Sequence, residues 1–176
     1  MRDFVTTLYK FDELSDDAQQ RAVDDYLRHN DFFWSDEWWQ SLQEFCSVAP
    51  VKIDRLDFSL GHADCVWMGD RDVANLKGLR AWKWLHNNGW FDMARRNVAG
   101  DCTLTGFYGD CALFDPIARY EKDYMGVPDL DSLFYECAQS LAVEARSDYE
   151  NTQSFDFVSD ELREMDYEFT EDGAKF

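Results

Sequence analysis

Eight carboxylates near the end of the chain, Asp148, Glu150, Asp156, Asp160, Glu161, Glu164, Glu168 and Glu171, are the side chains whose type and spacing could do chemistry. They belong to a stretch, Asp129 to Asp172, that holds 14 acids against only Arg146 and Arg163, a local charge of −12. Such a density has two readings. One is a set of solvated helix faces. The other is a surface that imitates a phosphate backbone and occupies a basic groove. Each strand of duplex DNA carries one charge per about 3.4 Å, and one acid in every three helical residues spaces charges by about 4.5 Å. From Asp148 onward the like charges crowd closely enough to make this end the expected partner-binding surface.

The remaining constellations are weaker. Asp54, Asp57, Asp64, Asp70 and Asp72 crowd one segment without the Gly and closing Glu of a calcium loop, so no metal is expected. His29, His62 and His86 lie in no nucleophile motif, and His62 with Cys65 is only a loose pairing. GxSxG, HExxH and P-loop patterns are absent from the sequence, so neither an enzymatic activity nor a cofactor is expected. Cys46, Cys65, Cys102, Cys111 and Cys137 are odd in number and lack zinc spacing, and they read as reduced core thiols.

A chain of 176 residues, 45% apolar and 16% aromatic, can bury a substantial core, and its length favours a single domain over 1–176. Its net charge of −19 repels nucleic acid and anionic membranes and favours basic partners. The charge is uneven: residues 1–50 carry −7, residues 51–100 carry +2 and residues 101–176 carry −14. Met1 to Leu8 has no apolar run of signal-peptide length and no segment approaches a membrane span, so an intracellular, soluble protein is expected.

The elements that must carry these residues can be read in order. Phe4 to Phe11 reads as a short strand, and Ser15 caps a helix with Ala18, Ala22, Val23, Tyr26 and Leu27 on one face. Ser35 starts a second helix whose core stripe is Trp38, Trp39, Leu42, Phe45 and Cys46. Val51 to Leu60 and Ala63 to Met68 form a hairpin turning at Gly61 and His62. A shift in apolar parity predicts a bulge near Asp54 or Arg55. Asn75 to Asn88 reads as a helix ended by Gly89, made basic by Lys77, Arg80 and Lys83.

Thr103 to Tyr108 reads as a strand, and Asp115 with Pro116 as the start of a helix through about Tyr124. Asp129 caps a long helix with the stripe Leu130, Leu133, Phe134, Cys137 and Leu141. The same rotation would bury Glu144 and Asp148, which predicts that the helix leaves the core, bends or stops near Ala145. A last helix, Phe155 to Met165, aligns Phe155, Val158, Leu162 and Met165, and Tyr167 with Phe169 reads as a strand. The expected fold is α+β: a small antiparallel sheet packed by about five helices, with an acidic helical C-terminal part.

Two stretches, Tyr9-Lys10-Phe11-Asp12-Glu13-Leu14-Ser15 and Tyr167-Glu168-Phe169-Thr170-Glu171-Asp172-Gly173, resemble those of a group of small acidic bacteriophage and prophage proteins, some labelled antitoxin-like. The resemblance implies a phage-type protein acting in a bacterial host cytoplasm. It also implies strategies shared with DNA-mimicking anti-restriction and anti-CRISPR proteins. The expected function is a non-enzymatic inhibitor that binds a basic host protein or ribonucleoprotein of the nucleic-acid-handling defence machinery, with a CRISPR effector the favoured target. No direct nucleic-acid or membrane contact is expected. An antitoxin-like partner of a basic toxin is the alternative, and an enzyme with an unrecognised site is the third.

Overall fold

Aromatic side chains at helical spacing, and the hairpin behind Pro50, build most of what the computed structural model describes, residues 7–32 and 34–176. Among these residues the chain runs α1 (Asp16–His29), α2 (Ser35–Val48), β1 (Val51–Asp57), β2 (His62–Trp67), α3 (Arg71–Ala74), α4 (Leu79–Asn87), α5 (Trp90–Val98), α6 (Asp110–Arg119), α7 (Leu130–Thr152) and α8 (Phe155–Glu164). A 3-10 turn at Phe11–Glu13 precedes α1. The arrangement is α+β with a two-stranded antiparallel sheet, and it has eight helices where about five were expected. Contacts divide the chain into a terminal unit, Met1–Phe33 with Tyr149–Phe176, and a central unit, Trp34–Asp148.

In the central unit, Phe134 of α7 is fully buried and meets Trp90 edge to face at 4.8 Å between ring centroids. Trp67 and Phe45 pack on the same ring at 5.8 and 6.0 Å. Edge-to-face pairs add about 0.5–1.5 kcal/mol each beyond the area they bury. The long helix does not stop at Ala145 but leaves the core there, one of the three expected outcomes, with Arg146, Ser147, Glu150 and Asn151 exposed. Ala138, Ala142 and Ala145 continue the buried stripe beside Leu141, so Glu144 rotates outward and α7 reaches Thr152. Asp129 caps this helix, its carboxylate accepting from Ser132 N at 2.9 Å. The hairpin has the expected bulge: Ile53 pairs with Cys65 and Arg55 with Asp64, leaving Asp54 unmatched.

Several readings of the central unit need correction. The helix placed at Asn75–Asn88 begins only at Leu79, because Gly78 adopts φ +56° and its N–H donates to Val127 O instead of continuing a helical ladder, which leaves residues 75–78 outside any helix. The short α3 before it, which was not expected, is capped by Asp70 through Asp72 N at 2.8 Å. Helix α5 has no counterpart in the sequence reading. Thr103 to Tyr108 is a series of turns rather than a strand, gathered around the buried carboxylate of Asp110, which accepts from Leu104 N, Thr105 N and the Thr105 hydroxyl. That same Asp110 opens α6, so Pro116 lies inside a helix that Asp115 was expected to cap, and the helix ends at Arg119. Trp39, expected in the core stripe, is 36% exposed, and of the five cysteines Cys137 alone is fully buried. All five are free thiols.

In the terminal unit Ser15 caps α1 as expected, accepting from Ala18 N. The expected strand at Phe4–Phe11 falls partly outside the described residues. Within them it reduces to a single bridge in which Tyr9 and Phe169 exchange N–H···O bonds of 2.9 Å. Past Tyr9 the chain turns, because the Glu13 carboxylate accepts from Lys10 N at 2.7 Å and Phe11 must reach the core. Phe11, Leu14, Ala18, Ala22, Val23, Val158, Leu162 and Phe169 form that core. On α8, Val158 and Leu162 are buried as expected, but Phe155 and Met165 at its ends are 39% and 41% exposed.

Candidate functional site

The terminal unit carries 17 acids and 6 bases, a net charge of −11, on the two ends of the chain. Those ends are brought together by sequence-distant pairings. Beyond the Tyr9–Phe169 bridge, Phe11 packs edge to face on Phe169 at 6.1 Å. Arg163 of α8 donates to Asp12 and to Asp160, both at 2.7 Å, and its guanidinium lies 5.4 Å from the centre of the Phe11 ring. The Asp12 hydrogen bond raises the Arg163 pKa further above its ordinary value, so the guanidinium keeps its charge. Lys10 is likewise raised, mainly by its hydrogen bond to Asp166.

Helix α8 starts at Ser154, whose hydroxyl accepts from Phe157 N, and its inner face buries Val158, Ser159 and Leu162. At 100° per residue this leaves Asp156, Asp160 and Glu164 in one row along the outer face, about 6 Å apart along the axis, with Glu161 on its flank. Asp156, Asp160 and Glu164 are exposed and Glu161 is half-buried. Glu168 and Glu171 are exposed on the tail, and Glu168 lies 3.8 Å from Lys10. Glu150 is exposed near the end of α7. Among the described residues Asp156, Glu161, Glu164 and Glu171 make no ion pair, while Asp160 shares Arg163.

Asp148, the eighth expected contact residue, belongs to the central unit and is engaged there. Its half-buried carboxylate accepts from the Trp38 indole at 3.2 Å and pairs with the Tyr108 hydroxyl. Burial first, and this acid second, push the Tyr108 pKa far above its ordinary value. The sequence reading missed this role, although Trp38 and Asp148 were each singled out. It also missed Arg163 as the link between the chain ends. Among the described residues no group of three or more His, Cys, Asp or Glu is placed to hold a metal ion, and no helix is long and apolar enough to cross a membrane.

Comparison with family models, curated proteins and solved structures found no match. On the central unit the second charged surface is α4, where Arg80 and Lys83 are exposed between the half-buried Trp82 and Trp84. Trp82 stacks on His86 at 5.1 Å and donates to Glu121 O. Ala81 and Leu85 are buried on the inner face.

Proposed function

We propose that the protein is a non-enzymatic inhibitor of phage type, which binds a basic surface of a host nucleic-acid-handling defence complex, in the favoured reading a CRISPR effector, through the acidic face of its terminal unit. The observation that carries this is the row Asp156, Asp160 and Glu164 on the outer face of α8, flanked by Glu161. A unit that holds six bases leaves most of this row without a cation. Each exposed bridge to a partner Lys or Arg contributes only about 0–1 kcal/mol, so affinity must come from many of them and from displacing nucleic acid. Charge of this kind acts first on association rate and on the choice of partner.

A second reading is supported by the Tyr9–Phe169 pairing. The two stretches that resemble antitoxin-like phage proteins fold as one piece, which favours neutralisation of a basic toxin by that piece. One experiment separates the readings. Purified RNA-guided effector is mixed with labelled target duplex, and the protein is added in increasing amounts. Loss of target binding, abolished by Asp160→Lys, Glu161→Lys and Glu164→Lys together and weakened steeply by salt, supports the inhibitor. Unaltered target binding across several effector classes, with rescue of a co-expressed toxin, supports the antitoxin.

A further inference from the structure

A cleft of about 420 Å³ opens in the terminal unit between α1, α8 and the C-terminal tail. Its walls include Asp25, Tyr26 and His29 from α1, Leu162 from α8, and Tyr167 and Lys175 from the tail. The ammonium of Lys175 lies 3.2 Å from the centre of the Tyr167 ring. Among the described residues Lys175 makes no ion pair, although its unit contains 17 acids. It rests instead on an aromatic face inside the cleft, where a cation is attracted by the ring quadrupole.

The surroundings suit a cation. Asp25 lines the cleft, and Glu161 and Tyr167 are close enough to Tyr26 to raise its pKa after the larger effect of burial. Lys175 is the cationic side chain lining the cleft; His29, also lining it, donates from Nδ1 to the Asp25 carbonyl at 2.8 Å and lies 3.5 Å from the Asp25 carboxylate. Lys175 is exposed and lies outside any helix, so its side chain can leave the ring without disturbing one. Its backbone remains held by the bridge to Phe169.

We propose that this cleft receives one arginine or lysine side chain of the basic partner, and that Lys175 is the chain's own cation holding its place. The inference rests on the binding role proposed for the terminal unit and names the group that the unit recognises. An incoming side chain takes the Tyr167 face, with the carboxylate of Asp25 in the same cleft, while Lys175 swings into solvent.

The test measures binding of fluorescein-labelled nona-arginine by anisotropy at physiological salt, for the unaltered protein and three variants. Tyr167→Leu keeps every charge and removes the ring, and it should weaken binding about two- to fivefold. Lys175→Gln should tighten binding by a similar factor, more than Lys122→Gln, which makes the same charge change on the central unit. Tyr167→Leu binding like the unaltered protein, or Lys175→Gln binding no tighter than Lys122→Gln, overturns the proposal. Should Tyr167→Leu fail to fold, the Lys175 and Lys122 comparison decides alone, because both side chains are exposed. The α8 triple reversal separates this from the wider reading. If the reversal loses the peptide while Tyr167→Leu keeps it, the acidic face stands and the cleft falls; the opposite pattern keeps the cleft and removes the face.

Discussion

In the central unit Trp38, Phe45, Phe114 and Phe134 are fully buried and meet one another's neighbours ring to ring, whereas the terminal unit closes around Ala18, Ala22, Val23, Val158 and Leu162 with Phe11 and Phe169 as its buried rings. The charge runs the other way. The central unit carries 19 acids and 11 bases, net −8 over 115 residues, and the terminal unit −11 over 61. A small unit buries a smaller fraction of its surface, and like charge adds self-repulsion. The terminal unit accordingly depends on point attachments: the backbone bridges of Phe169 to Tyr9 and to Lys175, the Arg163 clamp and a glycine at a close approach. The difference teaches that the denser negative charge is carried by the unit with fewer buried rings.

The largest effect should come from the central core. Phe134→Ala removes a ring that touches Phe45, Trp67, Trp84 and Trp90, and it should cost about 3–5 kcal/mol through lost burial and a cavity. Urea unfolding followed by tryptophan fluorescence reads this directly. An unchanged midpoint would mean that the ring cluster does not hold the unit.

On the terminal side the matching change is Gly173→Ala. Gly173 has φ +85°, and a Cβ there would run into the carbonyl of Ala18. Strain of this kind costs about 1–3 kcal/mol, and it falls on the turn that returns Lys175 to Phe169. Hydrogen exchange should show the Phe169 amide losing protection while Phe134 and Leu141 keep theirs. Equal loss at all three would erase the contrast and make the two units one cooperative structure.

Asp148 sharpens the comparison because it was read as part of the acidic surface and the structure uses it as an acceptor. Asp148→Ala leaves the Trp38 indole N–H and the Tyr108 hydroxyl without their partner, at about 1–3 kcal/mol. It should lower the melting temperature and leave partner binding unchanged. Asp156→Ala should do the reverse. A stable but non-binding Asp148→Ala would return this residue to the interface.

What could be read from residue order was what periodicity and caps determine. Ser15, the stripe through Leu141 and the bulge at Asp54 follow from spacing alone. The failures share a cause. Asp110, Gly78 and Arg163 act on partners that are remote or turn-forming, and no local pattern announces which carboxylate will gather a loop or which glycine will adopt positive φ. The turns at Thr103–Tyr108 have strand composition but satisfy the N–H groups of Leu104 and Thr105 on Asp110, that of Phe107 on the Thr105 hydroxyl and that of Thr103 on Asn97. Helix α5 could have been found, since Trp90, Phe91, Ala94 and Asn97 bury one face at helical spacing. Of the acidic surface, the row on α8 was visible in sequence. The cleft was not, because Tyr26 and Tyr167 meet only after the ends pair.

The smallest expected effect concerns acid. In the central unit Asp129 is held below its ordinary pKa of 3.8, first by the backbone N–H of Ser132 that it caps. In the terminal unit Asp172 is lowered from the same value, first by the Thr170 hydroxyl. A carboxyl whose folded pKa is depressed contributes stability above its unfolded value and loses it as pH falls through the folded one. Both units should therefore weaken as pH drops below 3.8, and neither carboxyl should add a slope near neutrality. Asp129→Asn keeps an acceptor at the cap, so it should cost only a few tenths of a kcal/mol at neutral pH and flatten the acid limb of α7 unfolding. Asp172→Asn should flatten only the limb read at the Phe169 amide. If one substitution flattens both limbs, the acid response belongs to the whole chain, and the separation of core from charge fails where it should be easiest to see.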